Sequence, residues 1–138
     1  MNTFARLLGL NVTAMFVSAE AQSAMRFDTG YNGREKIYIG TYSDCCSETW
    51  FADLIGVGNL LGQIVTGVEI LELPPPQDER SRQESDEAYG VRLKTALGHC
   101  DVIYRNSSNG YYGGSAEDMR DEEGQALDWL EIKGDWQA

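Results

Sequence analysis

Residues 88–114, AYGVRLKTALGHCDVIYRNSSNGYYGG, contain the pattern that decides the fold. Over residues 88–97 apolar and polar side chains alternate, which is typical of a strand with one buried face. Gly98 and His99 then turn the chain into a second alternating run, residues 100–105. The pattern therefore predicts two antiparallel strands joined by a short turn and followed by a loop rich in Asn, Gly and Tyr.

Runs on either side of this pair predict further strands at residues 11–18, 23–29, 36–42, 63–73 and 127–132. In the first run, Val12, Ala14 and Phe16 are expected to share one face because strand side chains alternate. Residues 47–61 carry apolar side chains at helical spacing, which predicts one short helix. The expected fold class is α+β, a single domain with a meandering antiparallel sheet and that helix packed across it.

The charge is unevenly spread along the chain, and this divides it into parts. Residues 77–87 contain no apolar side chain, which predicts an exposed loop inserted in a domain spanning residues 1–114. Residues 115–138 hold eight acidic and two basic side chains, a net charge of −6, and are expected to form an acidic C-terminal extension.

The whole chain carries a formal net charge of −11 over 138 residues. Such a surface disfavours direct binding to nucleic acids and anionic membranes, since phosphate attraction requires Lys and Arg, and it favours a protein partner with a basic surface. With 42% apolar residues the chain is too hydrophobic to be disordered. No apolar run approaches the roughly 20 residues of a membrane-spanning helix, so a cytoplasmic protein with reduced thiols is expected.

The sequence predicts no catalytic, metal or cofactor site. The single histidine, His99, is the only candidate base for a cysteine nucleophile, and it is expected in an exposed turn. Cys45, Cys46, His99 and Cys100 have zinc-ligand chemistry at the wrong spacing, because adjacent cysteines point apart in an extended chain. Cys45 and Cys46 are instead expected as small buried residues beneath the predicted helix.

Four segments in this order resemble a family of short uncharacterised proteins of bacteriophages and prophages: Asp44-Cys45-Cys46-Ser47, Leu54-Ile55-Gly56, Leu60-Leu61-Gly62-Gln63-Ile64 and Ser108-Asn109-Gly110-Tyr111-Tyr112. The resemblance covers roughly residues 7–114. It implies a compact α+β domain and a phage or prophage origin, and it implies no reaction.

Two functional hypotheses remain open at this point. In the first, a non-enzymatic phage protein binds and inhibits a host protein, such as a nucleic-acid-handling defence complex, by mimicking nucleic acid. Its contact residues would be acidic side chains of the extension and two aromatic anchors: Asp118, Asp121, Glu122, Glu123, Tyr111 and Tyr112.

In the second hypothesis the protein binds or sequesters a small ligand such as a nucleotide signal. A guanidinium would contact the phosphate, amides the base and rings its face, which points to Arg105, Asn106, Asn109, Tyr111 and Tyr112. In the alternative, Arg105 pairs with a carboxylate of the protein and the tyrosines pack on the sheet. Independently of either hypothesis, the exposed edge of an antiparallel sheet offers a surface for a homodimer.

Overall fold

Eleven strands, one α-helix and three 3-10 helices (Thr3–Leu7, Tyr31–Gly33 and Val57–Asn59) make up the regular structure of residues 2–109 and 113–138, the parts of the chain that this computed structural model describes. The strands and the α-helix are numbered below. In chain order they are β1 (Asn11–Ser18), β2 (Ala24–Thr29), β3 (Glu35–Ser43), β4 (Glu48–Ile55), β5 (Gln63–Ile64), β6 (Gly67–Glu72), β7 (Ser85–Thr95), β8 (Gly98–Ser108), β9 (Gly114–Asp118), α1 (Asp121–Gln125), β10 (Trp129–Ile132) and β11 (Trp136–Gln137).

The strands form two antiparallel sheets. Sheet I has the order β10-β1-β2-β3-β9, with β5 paired to one end of β1, and sheet II has the order β11-β4-β8-β7-β6. The predicted strand pair at residues 88–105 is confirmed as β7 and β8, which pair from Thr95–Gly98 beside the turn to Ser85–Ser108 at the far end. The predicted position of the turn is wrong, because the chain turns at residues 96–97, and Gly98 and His99 are the first residues of β8.

The inner faces of the two sheets share one hydrophobic core. Met15 and Phe27 of sheet I, and Val91 and Val102 of sheet II, belong to the same buried cluster. Phe4, in a short 3-10 helix before β1, lies between the sheets, with its ring edge-on to Phe27 and to Phe51 at centroid distances of 6.3 and 6.5 Å. The molecule is therefore a two-sheet antiparallel sandwich whose core is closed at one end by an aromatic side chain.

The predicted α+β class is wrong, because strands account for 54% of the described residues and helical turns for 12%. The helix expected at residues 47–61 is β4 followed by a 3-10 turn at Val57–Asn59. A bulge explains the misleading spacing: Phe51 pairs with Tyr104, and Asp53 pairs with the very next residue of β8, which leaves Ala52 as the extra residue. Phe51 and Leu54 consequently face the core together at a separation that imitates a helix.

A second bulge separates the three residues of β1 that were expected to share one face. The register shifts between Val12 and Ala14, and beyond that point Met15 and Val17 are fully buried. Ala14 and Phe16 lie on the opposite face, where Phe16 pairs across the sheet with Arg26. Only Val12 of the predicted trio faces the core.

Segment 73–84 connects β6 to β7 and lies against the outer face of sheet II; we call it the strap. It includes most of the polar stretch predicted at residues 77–87, and β7 begins at Ser85 within that stretch. Residues 115–138 contribute most of β9 and all of β10 to sheet I, and β11 to sheet II. The acidic segment is thus integral to both sheets.

Candidate functional site

The acidic side chains predicted as contacts follow one another in the chain, with Asp118 at the end of β9 and Asp121, Glu122 and Glu123 on α1. These four and the neighbouring Glu117 are all exposed, and we call them the acidic face. Its charge is partly compensated at the margins. Asp118 accepts a hydrogen bond from the Thr3 hydroxyl and lies 3.4 Å from Arg6 Nη1, and Glu123 lies 2.9 Å from Arg120 Nε.

Helix α1 is held against the outer face of sheet I by Gly124. A Cβ atom at this position would lie 2.2 Å from Tyr38 Cδ1, so only glycine allows the helix to rest on that ring. The Trp129 indole donates a hydrogen bond to the Gly124 carbonyl at 3.0 Å, and its ring contacts Tyr38 at a centroid distance of 5.8 Å. The acids of α1 are therefore presented from a fixed support.

Arg105, predicted as a phosphate contact, lies beneath the strap and is 3% exposed. Its Nη1 donates to Asp78 of the strap at 2.8 Å and to Asp86 of β7 at 3.1 Å. The hydrogen bond from Arg105 holds the pKa of the Asp78 carboxyl well below its usual range, and the same bond raises the pKa of Arg105. Asp86 also accepts a hydrogen bond from the Ser107 hydroxyl.

Two further arginines fix the strap along sheet II. Arg80 Nη2 lies 3.1 Å from Asp53 Oδ2, and Arg82 stacks over the ring of Trp50 with its Cζ atom 4.2 Å from the centroid. Trp50 is 2% exposed although it lies on the outer face, since the strap covers it. The strap is thus attached mainly by charged groups.

The ligand residues predicted on β8 point in opposite directions. Arg105 faces the strap, whereas its neighbour Asn106 faces the other side of the sheet, where it accepts a hydrogen bond from the Thr49 hydroxyl at 2.9 Å. The structure therefore does not bring these two side chains to one pocket. Asn109 is exposed, and Tyr111 and Tyr112 lie outside the described residues, so their roles in either hypothesis stay predictions.

The two segments that connect the sheets at the far end of β8 meet each other. Asp44 donates its backbone NH to the Gly113 carbonyl, and its carboxylate accepts a hydrogen bond from the Gly113 NH, both at 3.0 Å. Cys45 and Cys46 lie in this turn and are exposed, so their expected burial beneath a helix is wrong. Cys46 has a φ of 73°, which brings its Sγ to 3.1 Å from that of Cys45.

Of the side chains considered as metal or catalytic partners, Cys45 and Cys46 lie far from His99 and Cys100. Cys100 is buried in the core, and burial raises the pKa of its thiol to about 12. The turn that holds Cys45 precedes Glu48, whose partner on β8 is Ser107, about 23 Å along the strand from Cys100. His99 Nδ1 lies 3.2 Å from Asp101. Within residues 2–109 and 113–138, no group of three or more His, Cys, Asp or Glu side chains is arranged to hold a metal ion.

Sequence reasoning missed Asp78, Asp86 and Gly124. Asp78 and Asp86 belong to a run of charged residues, and nothing in the sequence indicates that both bind Arg105. Gly124 is a single glycine in an acidic segment, and nothing in the sequence indicates that it contacts Tyr38. One sequence signal could have indicated the strap. Positions 88 and 90, on the outer face of β7, hold the small residues Ala and Gly, and small side chains there leave room for a covering segment.

Comparison with known proteins places the chain in a family. No helix in the described residues is long and apolar enough to cross a membrane. The chain is similar to the uncharacterized protein L278 of Acanthamoeba polyphaga mimivirus, with 27% identity over 121 residues that cover 78% of this chain and 92% of the viral protein. No solved structure matches this chain. The model of the family described as "Domain of unknown function (DUF7448)" matches residues 7–117, and the chain therefore belongs to the DUF7448 family.

Proposed function

We propose that this protein is a non-enzymatic viral protein, encoded by a phage or prophage, whose acidic face binds a basic surface on a host protein. The similarity to a mimivirus protein and the resemblance to phage proteins both support a viral origin. The observation that carries the binding role is the support of α1. Three consecutive acids, Asp121, Glu122 and Glu123, are exposed on a helix that Gly124 and Trp129 fix to sheet I.

A fixed support matters because ordering a mobile acidic segment costs free energy at the moment of binding. Carboxylates that are already positioned take the place of phosphates in a basic groove with a smaller entropy loss. Complementary charge also accelerates the encounter and makes binding sensitive to salt. The protein would then inhibit its partner by occupying the surface that normally receives nucleic acid.

The test compares two variants that remove the same amount of charge. D121A/E122A/E123A neutralises α1, and the matched control E72A/E79A/E84A neutralises three exposed acids elsewhere on the surface. Each protein is immobilised, incubated with lysate of the bacterial host, and eluted in steps of salt or with duplex DNA. Point substitutions are used because residues 115–138 provide strands to both sheets, and deleting the segment would disrupt the fold.

We expect the unaltered chain and the control to retain a basic protein that both salt and duplex DNA release. The α1 variant should bind that protein roughly tenfold more weakly, since each exposed ion pair contributes about 0.2–1 kcal/mol. Equal retention by both variants would overturn the assignment of the acidic face, and retention that DNA does not displace would overturn the mimicry. Thermal unfolding of each variant checks that its fold is intact.

A further inference from the structure

The exposed pair Cys45 and Cys46 has a geometry that the proposed function does not use. Adjacent side chains in an extended chain point to opposite sides, yet the two Sγ atoms lie 3.1 Å apart. The left-handed conformation of Cys46, with φ at 73°, produces this approach. Left-handed backbone is uncommon for residues other than glycine, asparagine and aspartate, so the turn must be held by its surroundings.

Hydrogen bonds on both sides of the pair hold it. The Ser47 NH donates to the Asp44 carbonyl at 3.0 Å, and the Ser47 hydroxyl donates to the same oxygen at 2.9 Å. The Asp44 NH and carboxylate both bond to the backbone of Gly113. The residues that flank the thiols are therefore fixed, and the thiols themselves face solvent.

We propose that Cys45 and Cys46 form a redox-active vicinal dithiol, which a low-molecular-weight disulfide closes to an intramolecular disulfide. In the first step one cysteine thiolate attacks a sulfur of the oxidant, forms a mixed disulfide and releases one thiol. The neighbouring thiol loses its proton and attacks the protein sulfur of that mixed disulfide, which releases the second thiol. Two electrons pass to the oxidant, and the two protons lost by the cysteines appear on the two released thiols.

The position of the pair makes this reaction reversible. Residues joined by a trans peptide have Cα atoms about 3.8 Å apart, below the separation of about 4.4–6.8 Å that most disulfides adopt. The closed form is thus strained and is a stronger oxidant than a structural disulfide, so the dithiol persists until the surroundings become oxidising. The hydrogen bond between the two sulfurs favours the protonated Cys46 thiol and raises its pKa, consistent with two sulfurs that already interact.

Formation of the Cys45–Cys46 disulfide would affect residues beyond the turn. Asp44 and Ser47 hold Gly113, which directly precedes β9, and β9 ends at Asp118 of the acidic face. Cys100 provides an internal comparison, because it is buried and burial raises the pKa of its thiol to about 12. It should remain unmodified under conditions that oxidise the surface pair.

The first experiment treats the reduced, folded chain with oxidised glutathione and follows the intact mass. The unaltered protein should lose two hydrogen atoms, mapped by proteolysis to the Cys45–Cys46 peptide. C45S and C46S should each stop at one stable glutathione adduct on the remaining cysteine. If the unaltered protein instead accumulates glutathione on Cys45 or Cys46 without closing, the proposal is wrong.

A second measurement asks whether the folded turn is responsible. Phenylarsine oxide condenses with two thiols to give one cyclic dithioarsinite and one water, so it reports thiols that converge. The folded chain should react with one equivalent at least roughly tenfold faster than the chain in denaturant, because the sulfurs are already aligned. Equal rates would show that covalent adjacency alone explains the reaction, and the role assigned to the turn would be overturned.

Discussion

The two outer faces of the sandwich are covered in different ways. On sheet I, helix α1 rests on Tyr38 and Trp129 through ring contacts and one glycine. On sheet II, the strap is attached by arginine–carboxylate pairs centred on Arg105. The first cover depends on shape and the second on charge. Ring contacts respond to changes of volume, whereas buried ion pairs respond to the loss of a partner and to pH.

The largest effect is expected from removing the centre of the charged cover. Arg105→Met leaves the carboxylate of Asp86, whose side chain is 1% exposed, without its cationic partner. Breaking a buried pair in this way costs about 3 kcal/mol or more of the free energy of unfolding, measured by urea denaturation at pH 7. Arg120→Met is the matched control, because the Arg120 side chain is 80% exposed, and it should change stability by less than about 0.5 kcal/mol. Similar losses in the two variants would contradict the role given to Arg105.

A smaller effect is expected from changing the shape of the other cover. Gly124→Ala places a Cβ atom 2.2 Å from the Tyr38 ring, and overpacking of this kind costs about 1–3 kcal/mol. The loss would occur although alanine favours helix over glycine by about 1 kcal/mol. Gly134→Ala is the control, since nothing lies within 4 Å of its added methyl group. If Gly124→Ala proved as stable as this control, α1 would not rest on the Tyr38 ring.

The smallest effect is expected from Asp78→Asn, and its dependence on pH distinguishes the strap from helix α1. Asp78→Asn should lower the free energy of unfolding by about 1 kcal/mol at pH 7, a modest value because the Asp78 side chain is 41% exposed. The pKa of Asp78 is depressed in the folded state, so its contribution is present above the unfolded pKa of about 4 and is lost as pH falls further. Unfolding curves between pH 7 and pH 2 should therefore converge for Asp78→Asn and the unaltered chain. The deficit of Gly124→Ala should stay constant over the same range, and a pH-independent deficit at Asp78 would exclude its ion pair as the cause.

The sequence was sufficient where alternation is regular and insufficient where it is interrupted. Strands β7 and β8 were predicted because their pairing contains no bulge. The bulges at Ala52 and near Thr13 shifted the phase of the apolar pattern. This produced a false helix and wrongly placed Val12 on the same face as Ala14 and Phe16. A bulge adds one residue with no compositional mark, so period counting cannot find it.

The site residues follow the same division. The acids of α1 were predicted as contacts because charge runs are visible in composition, and that role stays a prediction. The carboxylate partners of Arg105 could not be identified from the sequence, since Asp78 lies 27 residues away in the chain. The close approach of the Cys45 and Cys46 thiols was missed because a left-handed cysteine carries no sequence signal comparable to glycine.

The order in which successive strands are assigned to the two sheets determines how the chain folds. The chain passes from one sheet to the other five times, at β3–β4, β4–β5, β5–β6, β8–β9 and β10–β11. Neither sheet is a continuous segment, so neither can complete itself before the other has begun. Most stabilising pairs join distant residues, and chains of this kind fold in milliseconds to seconds through late loop closure. A ribosome-bound fragment that lacks β9, β10 and β11 would leave β1, β3 and β4 with unpaired edges, which stay open to pairing with other chains until those three strands have emerged.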